Sequence, residues 1–195
     1  RRAIEYRVDV PGNLAYLGGV ALVVSGGKPR RWLGFGALMS AAVLTNMRMA
    51  LLVIITAALA FFWRAEEQRL GWNPRALWMI GGVVPVAASF VGWLFATGAW
   101  QEFVDGVFRY NATSAQLLVV TFFDALLVPL WTLDVGGMVF WIAGIAGVVP
   151  VLREIREPGP LQFIALLLIA SVVTIALMDV QYDYHFQSAW LLMLP

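Results

Sequence analysis

The stretch from Arg30 to Arg64, RRWLGFGALMSAAVLTNMRMALLVIITAALAFFWR, is an apolar run closed by Arg30 and Arg31 at one end and Arg64 at the other. Only Asn46 and Arg48 break its middle with strong polarity. A charge at the centre of such a run costs about 2.5 kcal/mol or more in lipid, so it faces protein, water or a ligand. The run exceeds one crossing of about 20 residues but falls short of two. The economical reading is a short-helix hairpin over about 30–64, turning at Leu44-Thr45-Asn46-Met47-Arg48, with both basic ends on one side.

Composition sets the class. The 195 residues are 61% hydrophobic and only 13% charged, and the mean hydropathy is +0.80. A soluble domain of this length carries far more charge, so the expectation is an all-α, polytopic integral membrane protein forming a single transmembrane domain over 1–195. A net charge of +1 and the lack of a basic cluster argue against a nucleic-acid partner. The chain has no cysteine, which excludes disulfides, thiolate metal sites and a cysteine nucleophile. A first residue Arg1 and a last residue Pro195 inside an apolar run predict an internal piece of a longer polypeptide.

In chain order, the polar residues 1–12 precede a short helix over about Asn13–Ser25, with Pro11 in or near its first turn. That helix is tilted or starts inside the polar segment. After the hairpin, RAEEQRLGWNPR (Arg64 to Arg75) reads as a charged loop, and a span follows from about Ala76 to Thr97 with Pro85 as a kink. Residues 98–116, with Trp100, Phe103, Phe108 and Tyr110 among polar groups, suit an amphipathic helix at the membrane surface. Leu117 to Asp134 is apolar but carries Asp124, Pro129 and Asp134. Val135 to Leu152 reads as a glycine-containing span closed by Arg153-Glu154-Ile155-Arg156-Glu157-Pro158. Leu161 to Met178 is the clearest span, and Ser188 to Pro195 begins another helix.

Charge asymmetry assigns sides. The segments 27–31, 64–75 and 153–157 hold Lys28, Arg30, Arg31, Arg64, Arg69, Arg75, Arg153 and Arg156, eight of the 13 basic residues. The other segments hold Glu5, Asp9, Glu102, Asp105, Asp124, Asp134, Asp179 and Asp183, eight of the 12 acids. By the positive-inside rule the three basic loops are cytoplasmic, and the outer face is acidic and aromatic.

Three outward features can carry chemistry: Glu5 to Pro11, Arg48 at the hairpin tip, and Gln181 to Phe186 with the single histidine, His185. An acid near the surface orients a sugar hydroxyl or a metal. An arginine pairs with a lipid-linked phosphate, and a histidine donates to phosphate or shuttles a proton. Each has a plainer reading beside it. Asp9 is also a charge favoured at a helix start, Arg48 also snorkels or pairs with an acid, and His185 between tyrosines also fits an interfacial aromatic belt. Asn111-Ala112-Thr113 matches a common glycosylation sequon. There is no Walker loop, GxSxG elbow or HExxH, and no metal site is expected. Gly136-Gly137 and Gly144…Gly147 read as helix packing.

These residues resemble a family. WLGFGALMSAAVLTNMRMALLVII after a basic dipeptide is similar to the glycine-rich helix, Leu-Thr-Lys/Arg and apolar helix of GT-C-type glycosyltransferases. These polytopic enzymes use polyprenyl-phosphate sugars, as protein mannosyltransferases and aminoarabinose transferases do. Val8-Asp9-Val10-Pro11, Phe108-Arg109-Tyr110-Asn111 and Tyr184-His185-Phe186-Gln187-Ser188-Ala189-Trp190-Leu191-Leu192-Met193-Leu194-Pro195 resemble further family passages in the right order. The resemblance implies a polyprenyl-phosphate-linked sugar as donor, no firmly implied further cofactor, and Asp9, Arg48, Tyr182 and His185 as substrate-binding residues at the outer face of a bacterial inner membrane. Arg48 falls one residue later after Leu44 than the family's basic residue. The principal carboxylate of the family lies upstream of Arg1, so the catalytic base is expected outside this chain. The alternative is a non-catalytic GT-C-derived subunit packed with other membrane subunits. A transporter fits less well, because internal repeats are lacking and the strong charges lie near segment ends.

Overall fold

The computed structural model describes residues 9–26, 28–62, 72–109, 142, 144, 146–151, 153 and 159–177. The described residues are all-α, with no strand among them. Helix α1 is Asp9–Val24, α2 is Pro29–Thr45, a 3-10 turn covers Met47–Met49, and α3 is Ala50–Phe62. Helix α4 is Trp72–Thr97, α5 is Trp100–Val104, a π-helical turn covers Asp105–Arg109, and α6 is Pro160–Leu177. Among the described residues one helix, over Pro74–Thr97, is long and apolar enough to cross a membrane, and Pro11–Val24, Ala50–Phe61 and Pro160–Thr174 are shorter apolar helices.

The helix ends follow from local chemistry. Helix α1 starts four residues before the expected Asn13, with Pro11 inside its first turn. The first N–H groups of a helix have no internal acceptor, so a proline there forfeits no bond. Gly26 ends α1 at φ +74, its N–H donating to the Val23 carbonyl at 3.2 Å, and the Arg31 guanidinium donates to the Gly26 carbonyl. The expected break in the 30–64 run is present: Asn46 is extended at φ −143, ψ 96, and its N–H bonds Ala42 O at 2.9 Å. Thr45 turns its hydroxyl onto Ala41 O at 2.7 Å. Short polar side chains that bond their own backbone favour such stops.

Contacts group the described chain into two compact units. The first contains α1, α2, the 3-10 turn, α3 to Ile54, and α4 through Trp100. The second contains the rest of α3, residues from Gln101, and α6.

In the first unit α2 packs along both α1 and α4. Gly12 lies near Ala42 and Asn46, Gly19 near Met39 and Phe35, and Leu22 near Gly34, so α1 and α2 are antiparallel. The contacts Trp32 to Arg75, Gly36 to Met79 and Ala37 to Gly82 advance in one sense along both chains, so α2 and α4 are parallel. At that crossing the backbones touch. A Cβ at Gly36 would strike the Met79 carbonyl, and one at Gly82 would strike the Leu33 carbonyl and come within 2.7 Å of the Ala37 nitrogen. Small residues permit this approach, and the close backbones gain dispersion contacts over a long stretch. Tyr16, Val20, Trp32, Phe35, Met39 and Leu52 are among the buried side chains.

Several expectations are corrected. The hairpin over about 30–64 has its break in the expected place, and within the first unit α2 packs along α1 and α4. The segments 27–31 and 64–75 are only partly loops. Arg30 and Arg31 begin α2, and residues 72–75 begin α4, with Pro74 near its start for the reason given for Pro11. Pro85, the expected kink, lies inside α4. Of the amphipathic helix expected over 98–116, Trp100–Arg109 is helical, α5 running on into the π turn, and 110–116 lie outside the described residues. Gly98 at φ +71 stops α4, and α5 has only five residues before the π turn. There the N–H of Ala99 reaches Leu94 O at 2.9 Å and that of Gly98 reaches Phe95 O at 3.2 Å, a Schellman cap.

In the second unit α6 covers the helix expected over 161–178, and its part over Pro160–Thr174 is one of the shorter apolar helices rather than one long enough to cross a membrane. Its start is capped by its own side chain: the Gly159 N–H donates to Gln162 Oε1 at 2.8 Å. Arg153, expected in a loop, is helical. Phe103 and Phe108, five apart across the π turn, meet edge-to-face at 6.5 Å. The expectations for Asn111, for 117–134 and for 179–195 lie outside the described residues.

Candidate functional site at the end of helix α1

The start of α1 meets the end of α2. A Cβ on Gly12 would sit 3.5 Å from each of Ala42 O, Asn46 Cβ and Met49 Sδ, so the first turn of α1 rests on the α2–α3 break. A Cβ here would make ordinary van der Waals contact with all three atoms. Met49 is buried, and so are Asn13 and, one turn further along α1, Tyr16. Asn13 stands four positions after Asp9 and so shares its helix face.

This contact brings together two of the residues singled out from the sequence. Asp9 opens α1, and Arg48 sits in the 3-10 turn that closes α2. The structure describes both positions through their backbone. They share one end of the first unit, beside Asn13 and Asn46. Tyr182 and His185 lie outside the described residues, so the structure neither joins them to this end nor separates them from it. Among the described residues no group of His, Asp, Glu or Cys is arranged to hold a metal ion.

The electrostatics of the two ends differ. Asp9 is the first described residue of α1, and Arg48 lies in the 3-10 turn that follows α2. At the other end, Arg30, Arg31 and Arg75 occupy the first turns of α2 and α4, where no acid is present. Helix dipoles oppose cations at those positions. Arg31 is compensated by its bond to the Gly26 carbonyl at the end of α1. Arg75 is buried, 1% exposed, with its guanidinium carbon 5.7 Å from the centroid of the Trp32 ring. Trp32 in turn packs edge-on against Phe35 at 5.8 Å.

Sequence reasoning missed two of these features. Asn13 became visible as a neighbour of Asp9 only once α1 was known to begin at Asp9. Arg75 was placed in a solvated loop, although Pro74 beside it carries the same helix-start signal that Pro11 does.

This end brings the backbone positions of Asp9 and Arg48 together with those of Asn13 and Asn46. Amides donate to and accept from sugar hydroxyls, and a guanidinium matches phosphate oxygens. Neither protein-family models, nor characterised proteins, nor solved structures give a match to this chain.

Proposed function

We propose that the chain is part of a polytopic membrane glycosyltransferase that uses a polyprenyl-phosphate-linked sugar at the outer face of a bacterial inner membrane. The observation that carries this reading is the Gly12 contact, which sets the Asp9 end of α1 against the turn holding Arg48. The opposite end of the same three helices gathers Lys28, Arg30, Arg31 and Arg75. Helix dipoles do not account for those arginines, whereas the positive-inside rule does. The parallel course of α2 and α4 fits two crossings made in the same direction.

In this reading Arg48 holds the phosphate of the lipid donor and stabilises the charge that develops on it as the sugar leaves. Asp9 and Asn13 orient the sugar or the acceptor, and the family resemblance gives Tyr182 and His185 a role in substrate binding. The base that activates the acceptor is supplied from outside this chain. Transfer is an inverting displacement at the anomeric carbon: the acceptor oxygen forms the new bond, the bond to the phosphate oxygen breaks, and the proton passes to that base.

Arg48→Ala in the full-length protein tests this reading. Sugar transfer is expected to be lost while the protein still accumulates in the membrane, and turnover like that of the wild type would remove the assignment. A second reading, a non-catalytic subunit with a structural role among other membrane subunits, draws on α4. Only 11% of its apolar stretch is buried, and Val84, Val91, Trp93 and Phe95 are exposed. Under that reading Arg48→Ala is silent, and leucine-to-serine changes on α4 dissociate the complex.

A further inference from the structure

We propose that the basic end of the first unit binds the headgroup of an anionic phospholipid in the cytoplasmic leaflet, with the acyl chains lying on exposed apolar residues of α2 and α4. Lys28 and Arg30 are exposed there, while Arg31 is engaged with the Gly26 carbonyl and Arg75 is buried behind Trp32. Among the described residues of this unit, no carboxylate lies at this end, since Asp9 starts α1 at the other.

The second half of the argument is apolar. Leu33, the third residue after Arg30, is 40% exposed, and Leu77, Trp78 and Ile80 in the early turns of α4 are 70%, 39% and 50% exposed. Because α2 and α4 are parallel, these residues lie on the same side of the cations along both helices. A soluble phosphate would use the cations and leave the apolar row in water. A phospholipid uses both, and Trp78 has the amphipathic ring favoured at headgroup depth. Each basic residue near an anionic leaflet contributes about fivefold in affinity, so Lys28 and Arg30 together supply roughly thirtyfold.

The site rests on the membrane reading and is independent of sugar transfer. Its test is native mass spectrometry of the detergent-purified chain with phosphatidylglycerol or phosphatidylcholine, alongside flotation with vesicles of each lipid. The wild type is expected to retain phosphatidylglycerol roughly thirtyfold more tightly. Lys28→Gln with Arg30→Gln is expected to bring the two lipids to near parity, and Lys28→Arg with Arg30→Lys to keep the preference. An unchanged preference in the glutamine variant, or displacement of the lipid by millimolar inorganic phosphate, would overturn the site. A chain that floats with vesicles yet shows no preference overturns this site alone. One that floats with neither lipid overturns the membrane reading as well.

Discussion

The guanidinium of Arg75 stacks on the face of Trp32, 5.7 Å from ring centre to guanidinium carbon, and so ties the first turn of α4 to the first turn of α2. Both side chains are buried. A cation over a desolvated indole contributes about 2 kcal/mol, and arginine stacks in a way lysine does not. Trp32→Leu leaves the buried cation without this face and is expected to cost about 3 kcal/mol or more. Arg75→Met removes the charge along with its need and is expected to cost clearly less. Thermal unfolding in detergent measures both, and equal losses would show that the ring and the cation act independently.

The glycines of the α2–α4 crossing differ by position. Gly82 meets the backbone of α2, whereas Gly81 has nothing within 4 Å of a would-be Cβ. Gly82→Ala and Gly36→Ala are therefore expected to destabilise by about 3 kcal/mol, since a helix backbone yields less readily than a side chain. Gly81→Ala is expected to stabilise by about 0.5–1 kcal/mol through helix propensity. Unfolding of the three variants side by side reads the contrast, and a Gly82→Ala protein as stable as wild type would contradict the contact.

The absence of cysteine allows sidedness to be read with single substitutions. Arg48→Cys is expected to react with an impermeant maleimide added outside intact cells. Lys28→Cys is expected to react only after permeabilisation. Labelling of both from the same side would mean that α2 does not cross the bilayer.

At the start of α6, the Gly159 N–H depends on the carboxamide of Gln162, whose side chain is buried. Gln162→Leu removes that acceptor and is expected to cost about 1 kcal/mol, the usual worth of a helix cap. Amide exchange at Gly159 is expected to quicken about fivefold, which is the same energy expressed as a rate. No change there would place the N–H with another acceptor.

The helical character, the stop near Asn46, the ends of α4 and α6 at Thr97 and Leu177, and the segregation of basic residues were legible in the sequence. Each depends on local composition or on a stop signal a few residues long. The helix starts were read less well. Pro11 marks the first turn of α1 but not its first residue, and Trp72–Arg75 read as the end of a charged loop, because a first helical turn tolerates both prolines and polar residues. The Schellman cap at Gly98 separates α4 from the helical residues Trp100–Arg109, a stop that the single glycine signals in the sequence.

The run from Arg30 to Arg64 states by itself that it holds two short apolar helices with a break at Asn46 and a costly charge beside it. It does not state what each helix lies against, because leucine, alanine and glycine faces accept many partners at similar energy. Tertiary structure decided that α2 packs between α1 and α4 through Gly36 and Gly82, where only bare backbones fit, and that at Gly12 the Asp9 turn rests on the turn carrying Arg48. Periodicity and charge report one helix at a time, whereas a candidate site made of two helix ends exists only once those ends have been brought together.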